Sequence, residues 1–167
     1  MHPKEYLDLV DENDNVLGRK LRSEIYAEGL WNFRVINVFL INSKGQLWVP
    51  RRAADKAIFP LGLDFSAAGH VESGETYDDT FAREVQEELN IDVSKVPHKL
   101  LGHVTPKDGV RVFEQIYEIQ SDETPAYNTD DFTEYYWLTP QELVEKIEGG
   151  EHAKDDIVPL IKRFYLQ

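Results

Sequence analysis

The segment Gly69–Ile91, "GHVESGETYDDTFAREVQEELNI", constrains the fold more than any other stretch of this chain. Tyr77, Phe81, Val85 and Leu89 recur every four residues, which puts them on one face of a helix. The spacing predicts a helix from Thr76 to Leu89 whose apolar stripe must lie on an apolar layer. Asn90 can end it, because asparagine tolerates the left-handed backbone of a helix C-cap. Glu84, Glu87 and Glu88 stand at i, i+3 and i+4, so their carboxylates converge beside the stripe. Like charges at this spacing cost about a few tenths of a kcal/mol per pair. A hard divalent cation removes that cost: Mg²⁺ takes oxygen ligands and keeps some waters, which suits carboxylates plus substrate phosphates. Taken alone, an E-x-x-E-E pattern is more often a solvated acidic helix face.

The rest of the chain supplies the layer. "YLDLV" (Tyr6 to Val10), the turn "DENDN" and "VLGRK" read as a hairpin. "FRVINVFLI" (Phe33 to Ile41), rich in β-branched and aromatic residues, reads as a buried strand, followed by the turn "NSKG" and the strand "QLWVPRR". "AADKAIFPLG" reads as a loop and "LDFSAAG" as extended. "HKLLGHVT" and "VRVFEQIYEI", separated by the turn "PKDG", and then "TEYYWLT" are further strands. Thr139, Pro140 and Glu142 carry a helix-start signature, and that helix stops at Gly149-Gly150. A last helix is predicted from Asp155 to Tyr165. Strands, helix, strands, helices: this order predicts an α/β fold, a mixed β-sheet flanked by helices, in one domain over residues 1–167.

Composition narrows the function classes. The 31 acids against 18 bases leave a net charge of -13, which disfavours binding to nucleic-acid polymers. An acidic protein that handles phosphates must concentrate bases locally or recruit metal ions. No run of 18 apolar residues suggests a membrane span, and "MHPKEYLDLVDEND" does not read as a signal peptide. With no cysteine there are no disulfides, thiolate metal sites or cysteine nucleophile. A cytoplasmic location is the default expectation.

The glycine, glutamate and arginine positions around the acids make the pattern specific. Gly69, Glu75, Arg83, Glu84, Val85, Glu87, Glu88 and Ile91 match the signature of the Nudix (MutT-like) hydrolases, with Asn90 in place of a late glycine. The chain therefore resembles that family. The resemblance implies a Nudix α/β/α sandwich, here with an N-terminal β-hairpin extension. It implies Mg²⁺ or Mn²⁺ and hydrolysis of a diphosphate bond in a small-molecule substrate, often nucleoside-diphosphate-linked, by attack of water on phosphorus. By position, Glu84, Glu87 and Glu88 would be metal ligands together with the backbone carbonyl of Ala68. Glu87 or Glu88 would also orient or deprotonate the water. Gly69, Glu75 and Arg83 would support the motif, Glu75 pairing with Arg83 to tie the loop to the helix. A homodimer is a family-level expectation.

The region ahead of this motif is similar to the isopentenyl-diphosphate isomerase branch of the superfamily. Its Ser-x-Cys-Gly-His segment reads Ser66-Ala67-Ala68-Gly69-His70 here, so Ala68 stands where those isomerases place a catalytic cysteine. Trp31, Asn32 and Phe33 stand where they carry a metal-binding histidine. Isomerisation needs an acid and a base, and alanine can be neither, so the balance favours hydrolysis. His70 matches an isomerase metal ligand and is a candidate for touching metal or phosphate. Arg51, Arg52 and Lys56 are candidates for substrate phosphates. Glu114, Asp130, Asp131 and Glu134 are candidates for one more carboxylate, with Glu134 preferred as a catalytic group. Trp31, Phe33 and Tyr127 could stack on a base, although aromatics in such number are more often core. The alternatives are an isomerase with an unusual acid and a non-catalytic nucleotide-binding module.

Overall fold

Strands form where apolar and polar side chains alternate or where the chain is apolar throughout. The computed structural model describes residues 5–167. The expectation drawn from the first four residues lies outside that range. β1 (Tyr6–Val10) and β2 (Val16–Leu21) pair antiparallel as a separate hairpin. Its turn is built on Asp11, whose Oδ1 accepts from the N–H groups of Asn13 and Asn15 at 2.8 and 2.9 Å. The short helix α1 (Arg22–Ala27) follows, an element the sequence does not predict. Six residues burying only Ile25 are too few to display a helical period.

Six strands make the main sheet: β3 (Arg34–Ile41), β4 (Leu47–Arg52), β5 (Ala67–His70), β6 (His98–Val104), β7 (Phe113–Gln120) and β8 (Phe132–Leu138). The order is β6-β7-β3-β4-β8, with β5 also on β3. β3 and β7 run parallel and the other neighbours antiparallel, so the sheet is mixed as expected. β3 and β4 share a single pairing, Ile41 with Leu47, and then splay apart. β5 fills the opening, pairing with Val35 to Val38. That wedge carries the residues just ahead of the acidic helix.

Both faces of β3 are covered, which makes three layers. Ile36, Val38 and Leu40 pack on Phe81, Val85 and Leu89 of α2 (Tyr77–Leu89). Phe39, of the other parity, packs with Leu143, Ile157, Leu160 and Ile161 from α3 (Pro140–Glu148) and α4 (Ile157–Phe164). A buried side chain of this size contributes about 1.5–3 kcal/mol. Three of them outweigh repulsion of about a few tenths of a kcal/mol per glutamate pair, which is why an acid-rich helix holds its place.

The helix ends follow the sequence. Thr76 caps α2 through a capping box with Asp79, and Thr139 caps α3 the same way with Glu142. Asn90 ends α2 with φ of 54°, the left-handed conformation expected of it. Elsewhere boundaries move. "PKDG" tightens into a 3-10 turn over Pro106–Asp108. The last helix begins at Ile157 rather than Asp155; Lys154 and Asp156 join the buried polar group described below. Among the described residues no helix is long and apolar enough to cross a membrane.

Candidate active site

α2 lies along the unpaired edge of β5. There the N–H of Ala68 donates to Glu88 Oε1 at 2.9 Å, so a glutamate completes the strand edge. In an antiparallel strand a residue's N–H and C=O point to the same side, so the Ala68 carbonyl also faces this helix. Gly69 is required by close approach: a Cβ there would run into the Glu84 carboxylate. Arg83 organises the rest. Its Nε and Nη2 donate to the two oxygens of Glu75, each at 2.8 Å, which is the loop-to-helix tie expected from the sequence. Its Nη1 donates to Glu84 Oε1 at 2.6 Å and lies 3.6 Å from Glu87 Oε2.

These carboxylates are crowded and poorly hydrated. Burial pushes Glu84 up to about 7, against the pull of Arg83 and with added repulsion from Glu87 and Glu5. Burial, then the charge of Glu84, raises Glu88 well above the ordinary carboxylate range; Asp64 and Asp131 add to this and the Ala68 amide opposes it. Glu87 differs, with half its side chain exposed. Among the described residues no three acidic or imidazole groups already enclose one point, because the Arg83 guanidinium stands between Glu84 and Glu87. Glu84, Glu88 and the Ala68 backbone converge; Glu87 points outward. Two sunken carboxylates that repel each other, held where a Cβ would not fit, are chemically suited to a hard divalent cation.

The other face of β3 carries a second polar group. Asn37 shares the parity of Phe39, and its Nδ2 donates to Glu114 Oε1 on β7. Glu114 is fully buried. Its Oε2 has no hydrogen-bond partner among the described residues, and the Asp156 carboxyl is its neighbour. Burial and then the Asp156 charge push Glu114 up to about 9, and burial raises Asp156 as well. Lys154 adjoins this pair, its Nζ 3.0 Å from Oδ1 of buried Asp64, whose Oδ2 accepts from Arg52 at 2.7 Å. Burial works against the charged form of Asp64, but the Lys154 and Arg52 charges together hold it below the ordinary value. His70 sits beside Gly69, with its Nε2 2.7 Å from the Tyr26 hydroxyl and its ring stacked on Phe33. Burial, and then Arg22 and Lys154, keep it neutral by holding it well below the usual imidazole value.

The basic residues picked out by the sequence are all engaged with acids. Arg51 donates to Glu134 at 2.6 Å and also pairs with Glu151; Lys56 pairs with Asp131 at 2.6 Å. Glu134 therefore lies on an exposed Arg51–Tyr136 network, one strand beyond β4. Asp130, the chain neighbour of Asp131, is exposed. Phe33 is core, Tyr127 packs on buried Trp48, and Trp31 is 43% exposed. Sequence reasoning passed over Asn37, Asp64, Lys154 and Asp156. A signal existed for Asn37, a lone amide inside an apolar strand. None existed for Lys154 and Asp156, which reach the buried polar group only through the α3–α4 connection.

A sheet between helix layers, with glutamates sunk against a strand edge, defines a hydrolase of phosphoric anhydride bonds once its relatives are considered. The chain belongs to the Nudix hydrolase family: the family model for the NUDIX domain matches residues 31–161. An uncharacterized Nudix hydrolase of Nostoc sp. is 55% identical over 166 residues, covering 99% of this chain and 98% of the relative. The crystal structure of DR0079 from Deinococcus radiodurans superposes with a TM-score of 0.92 at 44% identity, covering 96% of this chain and 99% of that one. An isopentenyl-diphosphate isomerase of Kocuria rhizophila is 26% identical over 150 residues, 87% of this chain and 83% of its own, in line with the branch resemblance.

Proposed function

We propose that this chain is a Mg²⁺-dependent hydrolase that cleaves the diphosphate bond of a nucleoside-diphosphate-linked or related small molecule. The observation that carries this reading is the pair Glu84 and Glu88, sunk against Gly69 and the Ala68 amide with their pKa values pushed up. Glu84, Glu87, Glu88 and the Ala68 carbonyl would hold the ion, Mn²⁺ serving in its place. When bound, the ion polarises a phosphoryl oxygen and lowers the pKa of a bound water. Arg83 fixes the Glu84 carboxylate and, through Glu75 and the His70 carbonyl, the connection from β5 to α2. Glu87 or Glu88 accepts the proton of the attacking water. Of the carboxylates outside the helix, Glu114 displaces Glu134 as our choice for assisting: Glu114 is buried beside Asn37, while Glu134 is committed to Arg51 at the surface. Arg52 and Lys56, on the Asp64 and Asp131 carboxylates that Glu88 senses, are assigned to substrate phosphates; Arg51 stands further out. His70, neutral and held by Tyr26, supports the floor of the cleft. A cytoplasmic location and a homodimer complete the proposal.

The test is a phosphate-release screen of nucleoside di- and triphosphates, nucleotide sugars and related diphosphates with Mg²⁺ or Mn²⁺. Activity should vanish in EDTA, and Glu88→Gln should cost about 100-fold or more in kcat with the fold intact. Full activity of Glu84→Gln, Glu87→Gln and Glu88→Gln would end the assignment. Incubation with isopentenyl diphosphate, followed by NMR, checks the isomerase alternative; Ala68 predicts no dimethylallyl product.

A further inference from the structure

A line of aromatic rings leads from the sunken glutamates to the surface, and the hydrolytic residues leave it unexplained. His70 follows Gly69, against which the Glu84 carboxylate lies. Phe33 stacks on His70 with ring centroids 5.4 Å apart and 22° between planes. Trp31 is next, its centroid 6.4 Å from Phe33, and it is 43% exposed. A single exposed tryptophan is ordinary. This one carries a guanidinium: Cζ of Arg111 sits 4.8 Å from the ring centroid. Arg111 comes from a different loop, between the Pro106–Asp108 turn and β7, and its side chain is 64% exposed. It also pairs with the exposed Asp155 at 3.6 Å, the chain neighbour of Asp156. Three separate loops thus bring Trp31, Arg111 and Asp155 together at the surface, at the outer end of the ring line from His70.

We propose that Trp31 and Arg111 form a clamp for a flat aromatic ring, the non-phosphate half of the substrate, which stacks between indole and guanidinium while the diphosphate reaches Glu84 and Glu88. Both clamp surfaces are planar, and arginine stacks on π-systems as readily as it contacts phosphate. The Arg111–Asp155 pair is an exposed ion pair, a contact that typically holds a side chain weakly, so Arg111 can swing aside to admit a ring. An alkyl chain would gain no stacking there. A quaternary ammonium would compete with the guanidinium for the same ring face and meet a like charge. The clamp therefore selects a nucleoside diphosphate over an alkyl diphosphate of equal charge, and it rests on the hydrolase reading above only for where the phosphates lie.

Stopped-flow tryptophan fluorescence with Mg²⁺ present reads binding before turnover. Each common nucleoside diphosphate and, as ring-free control, methyl diphosphate would be titrated into wild type, Trp31→Leu and Arg111→Gln. At least one nucleotide should quench wild type, methyl diphosphate should not, and Trp31→Leu should lose the quench. At steady state, both variants should raise KM for the ring-bearing substrate about tenfold, the effect of one lost stacked base, with kcat and the methyl diphosphate reaction unchanged. No quench by any nucleotide, an equal quench in Trp31→Leu, or equal KM changes for both substrates overturns the clamp. Absence of hydrolysis of every compound in wild type would instead overturn the hydrolase reading, and the quench would still decide the clamp.

Discussion

At Gly69 the missing side chain is the functional group. A methyl there displaces the Glu84 carboxylate, the far end of a flexible side chain, and leaves the backbone alone. Gly69→Ala should therefore fold with a melting temperature close to wild type and lose about tenfold or more in activity; differential scanning calorimetry beside a phosphate-release assay separates the two effects. Glu114 gives a pH signature. Its folded pKa, about 9, lies above the ordinary value of 4.5, so the native state holds a proton that the unfolded chain releases. Stability present below the ordinary value is then lost as pH rises toward about 9. Glu114→Gln stays neutral and should flatten that decline in urea titrations of the metal-free protein; an unchanged slope would refute the burial account. Glu84, Glu87 and Glu88 were legible in sequence because a helical period brings neighbours three and four apart together. Lys154 and Asp156 were not, because their contacts with Asp64 and Glu114 exist only after the chain has closed across the sheet.

Among elements, the turn of the N-terminal hairpin is latched by Asp14, while Leu7 and the bonds from Ser73 to Tyr6 and Asp8 hold its strands. Asp14, at the turn with φ of 63°, accepts from Arg34 Nε and from the Tyr77 hydroxyl, each at 2.7 Å, with His103 at 3.4 Å. These partners sit on β3, α2 and β6, so a single carboxylate holds the β1–β2 turn to three elements of the body. Asp14→Ala should destabilise the protein by about 2 kcal/mol, since it strands a largely buried arginine. Limited proteolysis should then cut within residues 6–21 first; protection equal to wild type would refute the latch. The hairpin, the helix caps and nearly every strand were readable from alternation and turn residues. α1 was too short to show a period. The wedge of β5 between β3 and β4 was hidden as well, because "LDFSAAG" says extended without saying which strand it pairs with.

For the whole molecule, a charge of -13 coexists with a cleft that draws acids inward. Binding of a divalent cation to the native state alone should raise stability by about 2.7 kcal/mol at a hundredfold excess over its dissociation constant. Thermal melts with and without Mg²⁺ measure this directly, and in Glu88→Gln the shift should shrink sharply. A wild-type protein indifferent to Mg²⁺, Mn²⁺ and Ca²⁺ would remove the electrostatic reason for the cluster. The three-layer architecture was legible because the apolar stripe of α2 demanded a sheet and the strands demanded cover on both faces. The surface cluster of Trp31, Arg111 and Asp155 was not, since it is assembled from three loops whose sequences carry no shared period.

The unpaired edge of β5 is closed by a side chain where a neighbouring strand would ordinarily supply a carbonyl. The catalytic helix thereby acts as a surrogate strand, with Glu88 lending one rung to the ladder through the Ala68 amide. That rung exists only while the carboxylate points at the amide. Any event that turns Glu88 toward another partner in the cleft frees a donor on the sheet itself. Only Oε1 makes that rung, so a ligand that takes Oε1 opens the backbone network, while one held by Oε2 leaves it whole.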